Sequence, residues 1–154
     1  MTRDFASTGR VHLTMHESVT PSSEGAGQSI FSTPTRQARS RVTMLEVTAQ
    51  KVATNSLKKG DVLAAARFAA VQAAKAAQHY LPLLDDQYSG AVAVDFEMGE
   101  NFIDVRVGVR GEDILSTWMP ALAAATAASL TIFDMCKAVD RTMSIGPIRL
   151  DESA

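Results

Sequence analysis

The sequence predicts an α+β domain in which one β-sheet is covered on one face by two helices. Two alanine-rich runs have the composition of helices, and four segments alternate apolar with polar residues as half-buried strands do. From residue 41 these segments follow the order β-α-β-β-α-β, which is the split βαβ, ferredoxin-like arrangement. The second face of the sheet is left to solvent or to a partner, so we expect self-association.

The first strand and the first helix of this pattern lie between residues 41 and 80. Residues 41–47 (RVTMLEV) alternate over most of their length and predict a strand. Asp61 is a suitable N-cap for the alanine-dominated run that follows, because its carboxylate can accept a hydrogen bond from a free main-chain N–H. We expect this helix to extend to Tyr80, since Pro82 cannot continue it.

A β-hairpin is predicted over residues 90–110. Residues 90–98 and 102–110 both alternate, and the turn-forming residues Gly99, Glu100 and Asn101 separate them. The apolar faces of the two strands carry Val92, Val94, Phe96, Met98, Ile103, Val105, Val107 and Val109. The opposite face of the second strand is charged and carries Asp104, Arg106 and Arg110.

The second helix and the last strand complete the pattern. Ser116 or Thr117 can cap the helix, and Pro120 is suited to its first turn. The alanine-rich run predicts that the helix continues to about Val139. Residues 143–150 (MSIGPIRL) predict the last strand, in which the Gly-Pro pair indicates a bulge or an edge position.

The first 40 residues are expected to form a separate N-terminal extension. Residues 9–15 have a short strand-like pattern, whereas residues 17–40 are rich in Ser, Thr, Gly and Pro and show no apolar period. We therefore predict an N-terminal strand and a flexible linker over 1–40, followed by the ferredoxin-like domain over 41–150.

Composition limits the class of protein and its partners. The chain has 154 residues, of which 46% are hydrophobic, which suits one soluble domain. Its 15 basic and 17 acidic residues give a net charge of −2, which argues against a nucleic-acid partner but leaves room for a local basic pocket. Cys136 is the single cysteine, so neither an intrachain disulfide nor a cysteine-based zinc site is expected.

The same composition predicts a cytoplasmic protein without a membrane partner. The first ten residues are polar and do not resemble a signal peptide. The most apolar stretch, residues 118–132, is interrupted by Thr126, Ser129 and Thr131 and falls short of the roughly 20 apolar residues that span a bilayer. We interpret it as a packed helix of a soluble domain.

Three segments resemble one known family. Residues 58–75 (KKGDVLAAARFAAVQAAK) are similar to the segment that opens the first long helix of cyclic pyranopterin monophosphate synthases, the MoaC-type proteins of molybdenum cofactor biosynthesis. Residues 121–139 (ALAAATAASLTIFDMCKAV) and 145–150 (IGPIRL) are similar to their second helix and last strand. The resemblance covers roughly residues 41–150.

The resemblance implies a fold, an assembly and a reaction. The family has a ferredoxin-like fold, and its members assemble as hexamers built from dimers, with active sites at the subunit interfaces. They convert a cyclised dihydro-GTP intermediate, a small-molecule substrate, into cyclic pyranopterin monophosphate and release pyrophosphate. They use no organic cofactor, and no metal site is expected.

The resemblance also implies which residues form the site. Lys59 occupies the lysine of the family's KGD motif, while Asp134 and Lys137 occupy the aspartate and lysine of its DMCK motif. Asp85 stands where the family has a histidine, and Trp118 and Pro120 stand where it has two glutamates. These replacements predict a divergent member, because general acids and bases have been exchanged.

We therefore select Asp134, Lys137 and Asp85 as candidate catalytic residues. The two aspartates would act as acid or base, with Lys137 as an electrostatic stabiliser. Candidate substrate-binding residues are Lys59, Trp118, Arg106 and Arg110, because cations bind phosphate and an aromatic face stacks on a flat ligand. Each candidate also has a purely structural explanation, as a surface ion pair, a solvated side chain or, for Trp118, a core or interface residue.

Three hypotheses about function follow from these residues. In the first, the chain is a repurposed enzyme that acts on a different small molecule of specialised metabolism through the family's interface pocket. In the second, it is a non-catalytic homologue that binds a pterin- or nucleotide-like ligand or a partner protein. In the third, it performs the family's cyclic pyranopterin monophosphate synthase reaction with altered residues.

Overall fold

The structure, a computed structural model, describes residues 36–84, 88–111 and 115–151. The predicted strand over 9–15, most of the predicted linker and Asp85 lie outside these residues. The described elements are β1 (Arg36–Thr43), α1 (Glu46–Ala53), α2 (Val62–Lys75), a 3₁₀ turn (Ala77–His79), β2 (Val92–Met98), β3 (Phe102–Val109), a second 3₁₀ turn (Leu115–Thr117), α3 (Trp118–Cys136) and β4 (Ser144–Asp151).

The four strands form one antiparallel sheet in the order β2-β3-β1-β4. The hairpin strands β2 and β3 are neighbours, and β1 lies between β3 and β4. The long helices α2 and α3 connect β1 to β2 and β3 to β4, and both cover the same face of the sheet. This topology confirms the predicted ferredoxin-like α+β fold.

The core lies between the sheet and the two long helices. Alternate residues of each strand point into it, which is why the apolar face of the predicted hairpin is buried. Alanines of α2 and α3 pack on this face and against each other, and their small side chains allow the two helices to approach closely. The fully buried examples are Ala66, Ala70, Ala74, Ala121, Ala124, Ala125 and Ala128.

The first strand begins earlier than its pattern predicts. It starts at Arg36 and ends at Thr43, whereas the alternation predicted residues 41–47. Ala38 and Ser40 occupy core-facing positions of this early segment, and the Ser40 hydroxyl lies 2.8 Å from that of Ser129 on α3. Because these two residues are small and one is polar, the sequence of this segment lacks the alternation of large apolar and polar residues that predicts a half-buried strand.

Helix α1 was not predicted. Its N-cap residue, Leu45, has no capping side chain of its own. The main-chain N–H of Leu45 instead donates to the Asp140 carboxylate at 2.8 Å, and this residue lies 95 positions further along the chain. Because the residue that caps this helix is so distant in the chain, the sequence next to α1 contains no capping residue that would predict its start.

The other boundaries agree with the predictions within a few residues. Asp61 caps α2 and accepts from the main-chain N–H of Ala64 at 3.0 Å. Helix α2 ends at Lys75, and a short 3₁₀ turn fills part of the predicted extension to Tyr80. Strand β4 is an edge strand, and its pairing with β1 shifts register between Ser40 and Val42, opposite the predicted irregularity.

Helix α3 is long and apolar enough to cross a membrane by length and composition alone. It packs against α2, β1 and β3, and its buried side chains include Ile132 and Cys136. These contacts are those of the core helix of a globular domain, as the sequence predicted for residues 118–132.

Candidate functional site

The end of α3 and the start of α2 bring three of the candidate residues together. Because the two helices are antiparallel, Lys59 before α2 meets Asp134 and Lys137 at the far end of α3. The Lys59 ammonium donates to the main-chain carbonyl of Asp134 at 2.9 Å and lies 3.5 Å from its carboxylate. Lys137 donates to the same carboxylate at 2.6 Å. We call these three residues the helix-end cluster.

The local sequence positions Lys59 for this contact. Gly60 has φ +100°, in the left-handed region that residues with a side chain rarely adopt. The turn at Gly60 leads into the Asp61 cap, so that Lys59 stands just outside the first turn of α2 and beside the last turn of α3. The KGD sequence therefore combines a cation, a sharp turn and a helix cap in three consecutive residues.

The charges of the cluster keep Asp134 ionised. The hydrogen bond and the positive charge of Lys137, together with the charge of Lys59, hold the pKa of the Asp134 carboxyl below its ordinary value. The side chain is 59% exposed, so solvent screens this effect. Two ammonium groups face one carboxylate, so the cluster keeps a net positive charge that suits a phosphate-bearing ligand.

Cys136 lies in the same turn but carries no reactive thiolate. It is fully buried and has no disulfide partner. Burial, with a further contribution from the charge of Asp140, raises the pKa of its thiol to about 11. The thiol therefore stays protonated at neutral pH, and Cys136 serves as a small core residue.

Asp140 is a residue whose importance the sequence analysis missed. It is 2% exposed, and its carboxylate accepts from Leu45 N at 2.8 Å and from the Thr48 hydroxyl at 3.1 Å. The other oxygen accepts from the N–H and hydroxyl of Thr142 at 2.9 and 2.7 Å. Burial pushes the pKa of Asp140 upward, but these hydrogen bonds outweigh it and lower the pKa overall.

The Asp140 carboxylate joins the start of α1 to the loop after α3. It thereby anchors the chain next to the turn that carries Lys137. Half of this arrangement is local, because an aspartate side chain often accepts a hydrogen bond from the main-chain N–H two residues later and so forms an Asx-turn. The partners on α1 are distant in the chain and could not be predicted.

Trp118 lies at the opposite end of α3 from the helix-end cluster. Most of the helix separates it from Asp134, which corresponds to about 24 Å at a rise of roughly 1.5 Å per residue. The Arg36 guanidinium lies 5.6 Å from the centre of its ring, and its buried indole N–H has no hydrogen-bond partner among the described residues. Trp118 and Asp134 of one chain therefore cannot contact the same small molecule.

Comparison with known proteins identifies the family. The family model described as "MoaC family" matches residues 31–154, which is most of the chain. The chain belongs to the MoaC family.

Curated relatives agree with this assignment. A protein of Roseiflexus sp. named "Cyclic pyranopterin monophosphate synthase" is 43% identical over 115 residues, or 73% of each chain. A protein of Salinibacter ruber with the same name is 37% identical over 127 residues, or 81% of this chain and 75% of the relative.

A longer relative carries a different name. The "Molybdenum cofactor biosynthesis bifunctional protein" of Chlorobaculum tepidum is 42% identical over 121 residues, which cover 77% of this chain. The chain spans only 39% of the length of that relative. The similarity therefore concerns one part of the bifunctional protein.

The two candidate arginines of this MoaC-family chain lie apart from the helix-end cluster. Arg106 is on the open face of the sheet, away from the helices, where it lines a shallow cavity. Arg110 follows the end of β3, about 13 Å further along an extended strand. Its main-chain carbonyl lies 2.6 Å from the hydroxyl of Tyr88. The structure thus separates the predicted arginine pair.

The outer surface of the two long helices is apolar. A groove of about 440 Å³ lies between them, with Leu122, Thr126 and Leu130 of α3 on one side and Ala73 and Tyr80 on the other. Phe68 on α2 is 65% exposed and Leu130 is 57% exposed. In this MoaC-family fold, large apolar side chains are thus left on the side of the helices that faces away from the sheet.

Proposed function

We propose that this chain acts as a cyclic pyranopterin monophosphate synthase in molybdenum cofactor biosynthesis. Membership of the MoaC family and the names of relatives at about 40% identity favour this hypothesis over the repurposed enzyme and the non-catalytic homologue. The observation that carries the proposal is the helix-end cluster. The three residues that the family resemblance selects, Lys59, Asp134 and Lys137, converge although 75 positions separate the first two.

The charges of the cluster suggest a division of roles. Lys59 and Lys137 would bind the phosphate groups of the cyclised dihydro-GTP intermediate, because ammonium groups form charge-assisted hydrogen bonds to phosphate oxygens. Asp134 stays ionised, holds both ammonium groups in place and can accept a proton from substrate. No step of this scheme requires an organic cofactor or a metal from the protein.

The cluster is open to solvent on one side, so a complete site needs a second wall. Trp118 is about 24 Å away in the same chain and would reach the cluster only from a neighbouring subunit. We propose a homo-oligomer built from dimers, with a hexamer as the assembly that the resemblance implies. The exposed apolar side chains of Phe68 and Leu130 support such an assembly, because a contact between copies would remove them from water.

The proposal is tested by incubating the purified chain with the cyclised dihydro-GTP intermediate and following pyrophosphate and pyranopterin. We expect turnover by the natural chain and a loss of about 10² to 10⁴-fold in the Asp134→Asn and Lys59→Ala variants. Lys58→Ala is the matched control, because this neighbouring lysine lies outside the cluster.

Either of two results would contradict the proposal. One is the absence of turnover in the natural chain when a relative named as the synthase is active under the same conditions. The other is full activity of the Asp134→Asn variant, which would show that the cluster takes no part in the reaction.

A further inference from the structure

The open face of the sheet carries a row of three arginines that no part of the proposed function uses. Arg39 on β1 lies directly opposite Arg106 on β3 and directly opposite Arg149 on β4. The neighbouring residues Ala38 and Ser40 are buried against the helices, so Arg39 faces the other way. We call Arg106, Arg39 and Arg149 the arginine row.

This arrangement is unfavourable without a counter-charge. Like charges directly opposite each other on antiparallel strands destabilise a sheet. Arg39 is paired with Asp151 at 2.5 Å. Arg106 and Arg149 form no hydrogen bond or ion pair with any residue in the described part of the chain. Two guanidinium groups thus retain their full donor capacity on either side of Arg39.

The surroundings of the row form a polar cavity of about 340 Å³. One wall is held in place by Arg41, whose Nε and Nη2 atoms donate to the two carboxylate oxygens of Asp104 at 2.6 and 2.7 Å. The guanidinium of Arg41 also stacks on Phe102, 3.9 Å from the ring centre. Since Arg41 and Asp104 neutralise each other, the remaining positive charge of the cavity belongs to the arginine row.

Carboxylates occupy one side of the cavity. Asp95 lies opposite Arg106, and Glu97 lies opposite Asp104, both on the edge strand β2. The positive charge is therefore displaced toward β1 and β4, and the negative charge toward β2. A ligand that fits this surface carries its anionic groups at one end and hydrogen-bond donors at the other.

We propose that the arginine row binds a small molecule with two or more linked phosphate groups. Neighbouring strands are about 4.8 Å apart, so the row spans about 10 Å and can engage more than one phosphate at a time. The planar guanidinium donates two parallel hydrogen bonds to a phosphate, which a lysine cannot do. Asp95 and Glu97 would accept hydrogen bonds from amino or hydroxyl groups at the other end of the molecule.

The site is distinct from the helix-end cluster, because the row lies on the face of the sheet that the helices leave uncovered. Its existence does not rest on the proposed function. The two sites can therefore be tested separately in the same protein.

The test is titration of the full chain with inorganic phosphate, pyrophosphate and tripolyphosphate, followed by calorimetry and by main-chain amide NMR shifts. We expect pyrophosphate and tripolyphosphate to bind more tightly than phosphate, with shifts at Ser40 and Val105 in the floor of the cavity. Arg106→Gln and Arg149→Gln should each weaken binding about tenfold, the loss expected for one charge-assisted contact.

Three variants make the result specific. Arg141→Gln removes an exposed arginine away from the sheet face and should bind as the natural chain does. Lys59→Ala disrupts the helix-end cluster and should leave the shifts at Ser40 and Val105 unchanged. Arg106→Lys keeps the positive charge but cannot donate two parallel hydrogen bonds to one phosphate. We therefore expect a folded protein with an affinity between those of the natural chain and Arg106→Gln.

The proposal is overturned if shifts appear only around Lys59 and Asp134, or if Arg106→Gln and Arg149→Gln bind as tightly as the natural chain. An equal loss of affinity in the Arg141→Gln control would also overturn it, because the effect would then follow from the net charge of the protein and not from a contact in the cavity. The proposal is also overturned if a second copy of the chain covers this face of the sheet. In that case no phosphate compound binds, and Arg106→Gln changes the molecular mass of the assembly.

Discussion

The Lys59 ammonium donates a hydrogen bond to the main-chain carbonyl of Asp134 at 2.9 Å, across 75 positions of the chain. This contact joins the turn before α2 to the last turn of α3. The main-chain oxygen is part of the helix C-terminus, where a cation is favoured by the helix dipole. The same lysine lies 3.5 Å from the Asp134 carboxylate, so backbone and side chain both hold it in the site.

Removal of Lys137 should raise the pKa of Asp134 toward its ordinary value. Lys137 is the largest cause of the lowered pKa, through its hydrogen bond and its charge, and Lys59 contributes less. We expect Lys137→Met to raise the pKa more than Lys59→Met does. Carboxyl-carbon NMR titration measures both. Lys58→Met is the control, and a pKa of Asp134 that is the same in all three variants would contradict the assigned geometry.

Asp140→Asn should destabilise the fold by about 2 to 3 kcal/mol at neutral pH, because a buried, charge-assisted set of hydrogen bonds is weakened. Urea unfolding measures the change in free energy of unfolding. The exposed Glu100→Gln variant is the control, for which we expect a change within about 0.5 kcal/mol.

The effect of Asp140 should depend on pH in a definite direction. Its pKa in the folded chain is lower than in the unfolded chain, so its ionised form stabilises the fold above the unfolded value of about 3.9. This stabilisation is lost as the pH falls through the folded pKa. The difference between the natural chain and Asp140→Asn should therefore shrink below about pH 4. A difference that grows with acid would refute this assignment.

Tyr88→Phe should lower the free energy of unfolding by about 1 to 2 kcal/mol. The Tyr88 hydroxyl lies 2.6 Å from the carbonyl oxygen of Arg110 and 2.8 Å from that of Ala91, so it joins the two ends of the hairpin. Tyr80→Phe is the matched control, because the Tyr80 hydroxyl makes a longer contact of 3.2 Å with Ala73 at the surface. Equal effects of the two changes would show that the hairpin contact adds no stability.

Alkaline titration provides a second measurement on Tyr88. Burial raises the pKa of this phenol to about 12. Because the pKa of Tyr88 is raised, the folded chain favours the neutral phenol over the phenolate. The contribution of the neutral phenol to the free energy of unfolding is therefore present below about pH 10 and is lost between about pH 10 and 12. Tyrosinate absorbance should show this late ionisation in the natural chain and lack it in Tyr88→Phe.

Ala70→Leu should destabilise the protein by about 1 to 3 kcal/mol, because the fully buried Ala70 lies where α2 packs against its neighbours. Thermal unfolding measures the effect. Ala64→Leu is the control, since Ala64 is an exposed position of the same helix. A stable Ala70→Leu variant would show that the helices do not approach as closely as the structure indicates.

Leu130→Glu should disrupt the proposed assembly, because it places a charge on the apolar outer surface of α3. We expect a smaller molecular mass in light scattering and a loss of synthase activity without loss of the fold. Leu83→Glu, at an exposed position outside the groove, should change neither property. If Leu130→Glu keeps the mass of the natural chain, the helix surface is not the contact between copies.

Much of the fold follows from local patterns. Alternation in residues 92–98 and 102–109 defines two strands and their buried face, and Asp61 with its alanine run defines α2. These signals are readable because each depends on neighbours within a few residues. The KGD and DMCK motifs likewise selected Lys59, Asp134 and Lys137 before their contact was known.

Only the tertiary structure decided which of these residues meet. The antiparallel helices bring Lys59 to Asp134 but leave Trp118 at the other end. The sheet places Arg106 opposite Arg39, with Arg149 on the far side of Arg39, and leaves Arg110 outside this row. Helix α1 depends on Asp140, which is 95 positions from Leu45. The physical reason is the same in each case. Local sequence sets the direction of a side chain, whereas strand register and helix packing, which depend on distant residues, set what it faces.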